Sequence, residues 1–220
     1  MAIVHRTTLE PGKLDLLREW LPAQSWYVRT AAGGPELSKA GGFRVDDPDG
    51  EVGIEFMFVL DQAADDAATY LVPMTYRGSP LADPDDALIG TTEHGVLGTR
   101  WIYDGARDPV LLTELGELIQ GRVQAQAQSE SNTPDLTVHG RAVPGALGVP
   151  GAILDIAIAR VLVPLNASVA DGRGPAGAGQ VTATWTAADG SVVRGVVATA
   201  TLAAGPVSDP GREERGAPLS

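Results

Sequence analysis

Cysteine is absent from the 220 residues, lysine occurs only at positions 13 and 39, and Phe, Trp and Tyr together make up 5% of the chain. Without cysteine there is no disulfide framework, no thiolate nucleophile and no cysteine-based zinc site, and the expected compartment is the reducing cytoplasm. With lysine scarce, 28 Asp and Glu face 16 Lys and Arg, which leaves a net charge of -12. Such a chain is not built to hold nucleic acid or anionic lipid, because both need Lys and Arg to neutralise phosphate. Long apolar runs are lacking too. Met1 to Thr8 carries no signal-peptide segment, and the most apolar later stretch, Ala142 to Leu154, is short and broken by Pro144, Gly145, Gly148, Pro150 and Gly151. No membrane span is expected.

What remains is enough for one sizeable core. A chain of this length buries roughly 70% of the surface it exposes when unfolded, so neither metal nor disulfide staples are needed. We expect a single domain over residues 1–204, with a mobile internal connection near 122–135, where Gln and Ser are frequent, and a disordered tail over 205–220, where Pro, Gly and charge lack periodicity.

Ala2 to Thr7 reads as a first strand. Pro11 suits the first turn of a helix, in which Leu14, Leu17, Trp20 and Leu21 recur at helical spacing until Pro22. The glycines and Pro35 make Ala31 to Gly42 a loop. Phe43 to Asp46 and Glu51 to Leu60 flank a turn at Asp47 to Gly50, with Ile54, Phe56, Phe58 and Leu60 on one face and Glu55 on the other. Thr69 to Arg77 continues the alternation, and Pro73, which cannot donate to a ladder, puts that strand at an edge or a bulge. Two further strands, Leu88 to Thr92 and Thr99 to Tyr103, meet around Glu93, His94 and Gly95. Asp108 then offers an N-cap and Pro109 a first helical residue, ahead of Leu111, Leu112, Leu115, Leu118 and Ile119, with Gly121 as a stop. Strands resume at Leu136 to Val143, Leu154 to Val163, Gln180 to Ala187 and Ser191 to Ala203, the last two joined by a tight turn at Asp189 and Gly190. Strands outnumber helices and short turns join neighbours. The expected fold is α+β, a curved and mainly antiparallel sheet with one or two helices packed on it.

Motifs that carry chemistry are few. Neither lysine follows the glycine spacing of a phosphate loop. His139 and Gly140 are followed by Arg141, where a phosphotransferase His-Gly-Asp run needs its carboxylate. Gly172, Gly174 and Gly177 have dinucleotide-loop spacing, but Pro175 interrupts them and no helix pattern follows. No cofactor site, metal site or catalytic residue is expected. The one mixed cluster of polar and titratable groups is Glu93, His94, Arg100, Tyr103 and Asp104, with Asp108 nearby. Glu93 and His94 could act as an acid-base pair beside an anion held by Arg100; the plainer reading is a polar turn, a surface ion pair and a helix cap.

The run Tyr70-Leu-Val-Pro-Met-Thr-Tyr-Arg-Gly, then Leu88-Ile-Gly-Thr-Thr-Glu-His-Gly-Val-Leu-Gly, then Arg100-Trp-Ile-Tyr-Asp-Gly-Ala-Arg-Asp-Pro109, resembles the N-terminal cap domain of actinobacterial maltokinases and related aminosugar kinases. The likeness is strongest from Tyr70 to Gly121. It implies a cystatin-like topology and a place in sugar or α-glucan metabolism. In those kinases, ATP and magnesium are bound by lobes whose motifs these residues lack, so the resemblance implies a non-catalytic module with a separately encoded sugar kinase as partner. A protein that cradles a sugar or metabolite on the concave sheet is the alternative, and a minor enzyme using Glu93 and His94 is the third.

Overall fold

The computed structural model describes residues 9–28, 34–63, 67–82, 87–130, 132–146, 153–165 and 178–203. The strand expected at Ala2 to Thr7, the glycines from Gly172 to Gly177 and the tail over 205–220 lie outside the described residues.

In chain order the elements are β1 (Leu9–Glu10), α1 (Lys13–Trp20), a 3₁₀ turn (Leu21–Ala23), β2 (Leu37–Val45), β3 (Gly53–Asp61), β4 (Ala68–Arg77), β5 (Leu88–His94) and β6 (Gly98–Asp104). A second 3₁₀ turn (Gly105–Arg107) leads into α2 (Pro109–Ile119), followed by β7 (Gln126–Ala127), β8 (His139–Arg141), β9 (Leu154–Ile158), β10 (Val161–Leu162), β11 (Gly179–Thr186) and β12 (Val192–Leu202). They form two antiparallel sheets. The larger runs β1-β5-β6-β4-β3-β2-β7, with β10 also paired to β4; the smaller runs β8-β11-β12-β9. The α+β class and the curled antiparallel sheet are as expected from the sequence.

Register shifts at Lys39/Gly41 and Leu88/Gly90 bend the large sheet. The first of these corrects the loop expected over Ala31 to Gly42. The strand begins at Leu37, and the glycines belong to its bulge, where Gly41 and Gly42 have φ of 142° and 145°. A Cβ on Gly42 would stand 2.5 Å from the Phe56 carbonyl oxygen, so composition that reads as loop is here a requirement of strand packing.

The two faces of β3 and β4 are both covered. On one side Phe43, Ile54, Phe56, Phe58, Leu60 and Leu71 pack against Leu111, Leu115, Leu118 and Ile119 of α2 and against Val181, Ala183 and Trp185 of the small sheet. Phe43 stacks on Phe56 at 4.5 Å, and Phe58 meets Trp185 edge-on. On the other side Met57, Val59, Tyr70, Val72, Met74 and Ile102 pack against Leu17 and Leu21. This explains the nearly unbroken apolar run of β3, since a strand covered on both faces has no solvent side to mark.

β4 is therefore central, and the edge position expected from Pro73 is corrected. Along the side of β4 away from β3, β10 pairs at Thr69 and Tyr70 and β6 begins at Met74. Leu71 sends its N–H to the Arg160 carbonyl, and Pro73, two residues on, faces the same side in the gap between those partners. The missing donor falls where no acceptor waits.

α1 differs in one detail from the sequence reading. Its N-cap is Gly12, and Pro11 precedes it in a cis peptide bond, its carbonyl accepting from Thr92 Oγ1 at 2.8 Å. α2 begins as expected: Asp108 caps it by accepting from the Val110 N–H, Pro109 occupies the first position, and Gly121 follows at φ 72°. The 122–135 connection contributes β7, paired to β2 at Phe43 and Arg44. No described helix is long and apolar enough to cross a membrane.

Candidate functional site

Glu93 and His94 lie side by side in β5, so their side chains leave opposite faces of the strand. Glu93 accepts from Thr99 Oγ1 across the hairpin at 2.7 Å. His94 Nδ1 accepts from the N–H groups of Val96 and Leu97, at 3.3 and 3.1 Å. That nitrogen closes the turn. Arg100 turns back onto the Thr99 carbonyl and lies over Gly78, where a Cβ would meet its guanidinium at 3.0 Å.

Tyr103 and Asp104 occupy the far end of β6, roughly 14–20 Å from Glu93 and His94 by strand rise. Tyr103 is fully buried and its phenol oxygen accepts from the Leu81 N–H. Asp104 pairs with Arg160 at 2.6 Å and caps the 3₁₀ turn through the Ala106 N–H; Arg160 in turn lies over the ring of Trp26. Asp108, wholly buried, accepts a forked pair from Arg77 (2.8 and 2.7 Å) and a hydroxyl bond from Thr75 (2.7 Å). Burial works against its charge, but the bonds from Arg77, Thr75 and Val110 outweigh that and hold the carboxyl below its ordinary range. The structure thus places Glu93, His94 and Arg100 toward a hairpin tip, and Tyr103, Asp104 and Asp108 among buried contacts at the other end of β6.

Sequence reasoning missed a different convergence. Glu55, the one charge in β3's apolar run before Asp61, accepts from Lys13 Nζ (2.9 and 2.6 Å), from the Tyr76 hydroxyl (2.6 Å) and from the Gln128 amide. Lys39 senses the same carboxylate, so both lysines of the chain gather at one buried acid. Burial opposes the ionised form of Glu55, yet the charge of Lys13 and the hydrogen bonds from Lys13, Tyr76 and Gln128 win and lower its pKa, while burial beside that charge raises Tyr76 well above the phenol range. The signal was available, since an acid in a fully buried strand requires partners. This network ties α1 and the 122–135 connection to the sheet.

The open space lies elsewhere. A groove of about 510 Å³ runs between the outer face of α2 and β9, lined by Pro109, Leu112, Thr113, Gly116, Glu117, Arg122, Leu154, Asp155 and Ile156. Its charges are one exposed ion pair, Glu117 with Arg122, and Asp155. Gly116 faces β9, where a Cβ would make ordinary contact with Ile156 Cδ1 at 3.7 Å and Leu154 Cδ1 at 3.8 Å. Among the described residues no group of three or more His, Asp or Glu is gathered as for a metal. The groove offers apolar surface and strand backbone.

Residues 20–108 match the model of the maltokinase N-terminal cap domain family. The matched stretch runs from the last residue of α1 through β2 to β6 and ends on the cap of α2. For this stretch the resemblance read from the sequence is borne out. No curated protein matches the chain.

Proposed function

We propose that this protein is a non-catalytic cap-like module of sugar or α-glucan metabolism that works by associating with a separately encoded sugar kinase and modulating it. The observation that carries the reading is the cap-domain match over residues 20–108. The geometry supports it indirectly. Asp104 ties the end of β6 to the segment between β9 and β10, Asp108 ties β4 to α2, Glu55 holds α1, and His94 closes a turn, so these groups are committed to architecture. A buried, fully paired carboxylate is poorly placed as a base, which needs reach to a substrate proton.

The test mixes the protein with a cognate sugar kinase lacking its own cap. Co-elution at micromolar concentration and altered turnover on maltose or glucosamine are expected. Absence of a complex together with unchanged turnover rejects the kinase reading. Titration calorimetry with magnesium ATP should give no saturable heat from the protein alone.

A second reading, small-molecule binding, is favoured by one feature, the α2–β9 groove, whose volume falls in the range of ligand sites. Both faces of the central strands of the large sheet are filled by core side chains, so a sugar or metabolite would bind at this groove.

A further inference from the structure

We propose that the outer edge of β9 docks an extended segment of a partner protein, one in which apolar residues alternate with cationic ones, and that this segment adds as a fifth strand to the small sheet. The inference stands on the edge itself and holds whether or not the partner is a kinase.

The register with β12 decides which backbone groups are open. Ala159 donates to the Val197 carbonyl and Ala203 donates to the Ile153 carbonyl, both at 2.9 Å, and Ala157 lies opposite Thr199. Residues 153, 155, 157 and 159 therefore face β12. Leu154, Ile156 and Ile158 turn their N–H and C=O groups outward, and no other described residue is hydrogen-bonded to them. β9 ends the sheet order. Such a row of groups, unpaired among the described residues, is the template on which strand addition occurs. Three successive residues, Leu154, Asp155 and Ile156, line the α2–β9 groove. Their side chains alternate between faces, so the groove follows the strand's edge and gives an incoming backbone room.

Chemistry fixes the occupant. In an antiparallel addition, residues opposite Leu154, Ile156 and Ile158 share the face on which those side chains pack, beside Leu112 and Gly116, and must be apolar. Residues opposite Asp155 and Ala157 share the exposed face, on which Asp155 is the strand's only charge. A cation there is paired, and it approaches a chain of net charge -12. The same charge opposes a second copy as occupant.

The probe is a capped, fluorescein-labelled Val-Lys-Val-Lys-Val peptide added to the full chain. Its anisotropy should rise saturably, amide exchange at Leu154, Ile156 and Ile158 should slow, and N-methylation of its valine amides should weaken binding about tenfold or more. Asp155→Lys, an exposed change, should switch preference to Val-Glu-Val-Glu-Val. Ile156→Pro should abolish binding, because its N–H faces outward and its loss costs no bond to β12. The proposal fails if binding is unsaturable, if N-methylation leaves it unchanged, or if Asp155→Lys keeps the lysine preference. Protection of the three amides that grows with protein concentration in the absence of peptide also overturns it, by making the occupant another copy of this chain.

Discussion

Removing the Asp108 carboxylate tests whether the junction between β4 and α2 holds the molecule together. In Asp108→Ala the helix loses its cap, which costs about 1 kcal/mol. Arg77 and the fully buried Thr75 lose their common partner, and breaking a buried ion pair from one side costs roughly 3–5 kcal/mol. The two losses overlap, because one carboxylate serves both, and we expect about 3–5 kcal/mol in urea unfolding at pH 7. Asp108→Asn keeps an acceptor for Val110 and removes only the charge, so it should cost less than Asp108→Ala. The pH dependence carries a sign. The folded pKa lies below the ordinary 3.8, so the ionised group stabilises fully above that value, and the benefit disappears as pH falls through the folded pKa. The deficit of Asp108→Asn should therefore shrink as pH falls below 3.8. If Asp108→Ala unfolds within 1 kcal/mol of the parent, or the Asn deficit is the same at pH 2.5 as at pH 7, the assignment of Asp108 as the ionised centre of this junction is wrong.

Leu115, wholly buried between the two sheets, should cost roughly 2–5 kcal/mol when cut to Ala, whereas Glu117→Ala removes an exposed pair with Arg122 and should cost at most about 1 kcal/mol; equal urea midpoints for the two variants would contradict this packing. Glu114 lies buried on α2, and burial, with Glu117, Asp47 and Asp49 adding repulsion, raises its pKa. A raised carboxyl pKa penalises the fold above about pH 4.5 and not below it, so Glu114→Gln should raise the urea midpoint at pH 7 and leave it unchanged at pH 3.

Local signals in the sequence found the elements whose cause is local. Asp108, Pro109 and the leucine spacing predict α2 because cap, first turn and apolar stripe all reside within its residues. Asp189 and Gly190 do the same for the β11–β12 hairpin, where Gly190 has φ 82°. Where the cause lies across the fold, local reading misleads. Gly41 and Gly42 look like a loop until Phe58 is brought against the first and Phe56 and Gln128 against the second. Pro73 looks like an edge residue because the gap between β6 and β10 depends on a strand eighty-odd residues later in the chain. The Lys13–Glu55–Gln128 network joins three distant segments. Proximity in sequence, conversely, grouped Glu93 and His94 with Tyr103 and Asp104, which a strand's length holds apart. The groove beside α2 had no signal, since its walls come from residues 109–122 and 154–156.

Asp108 is the last residue matched to the cap family and also the knot between β4 and α2. That coincidence makes the end of the match a poor place to cut. A fragment ending there would shed α2 and the small sheet and leave Phe43, Phe56, Phe58 and Leu71 facing water, an apolar patch of the kind that drives aggregation. The strands from β2 to β6 are thus not a detachable part of this chain, since α2 and the strands after it supply the cover for that face.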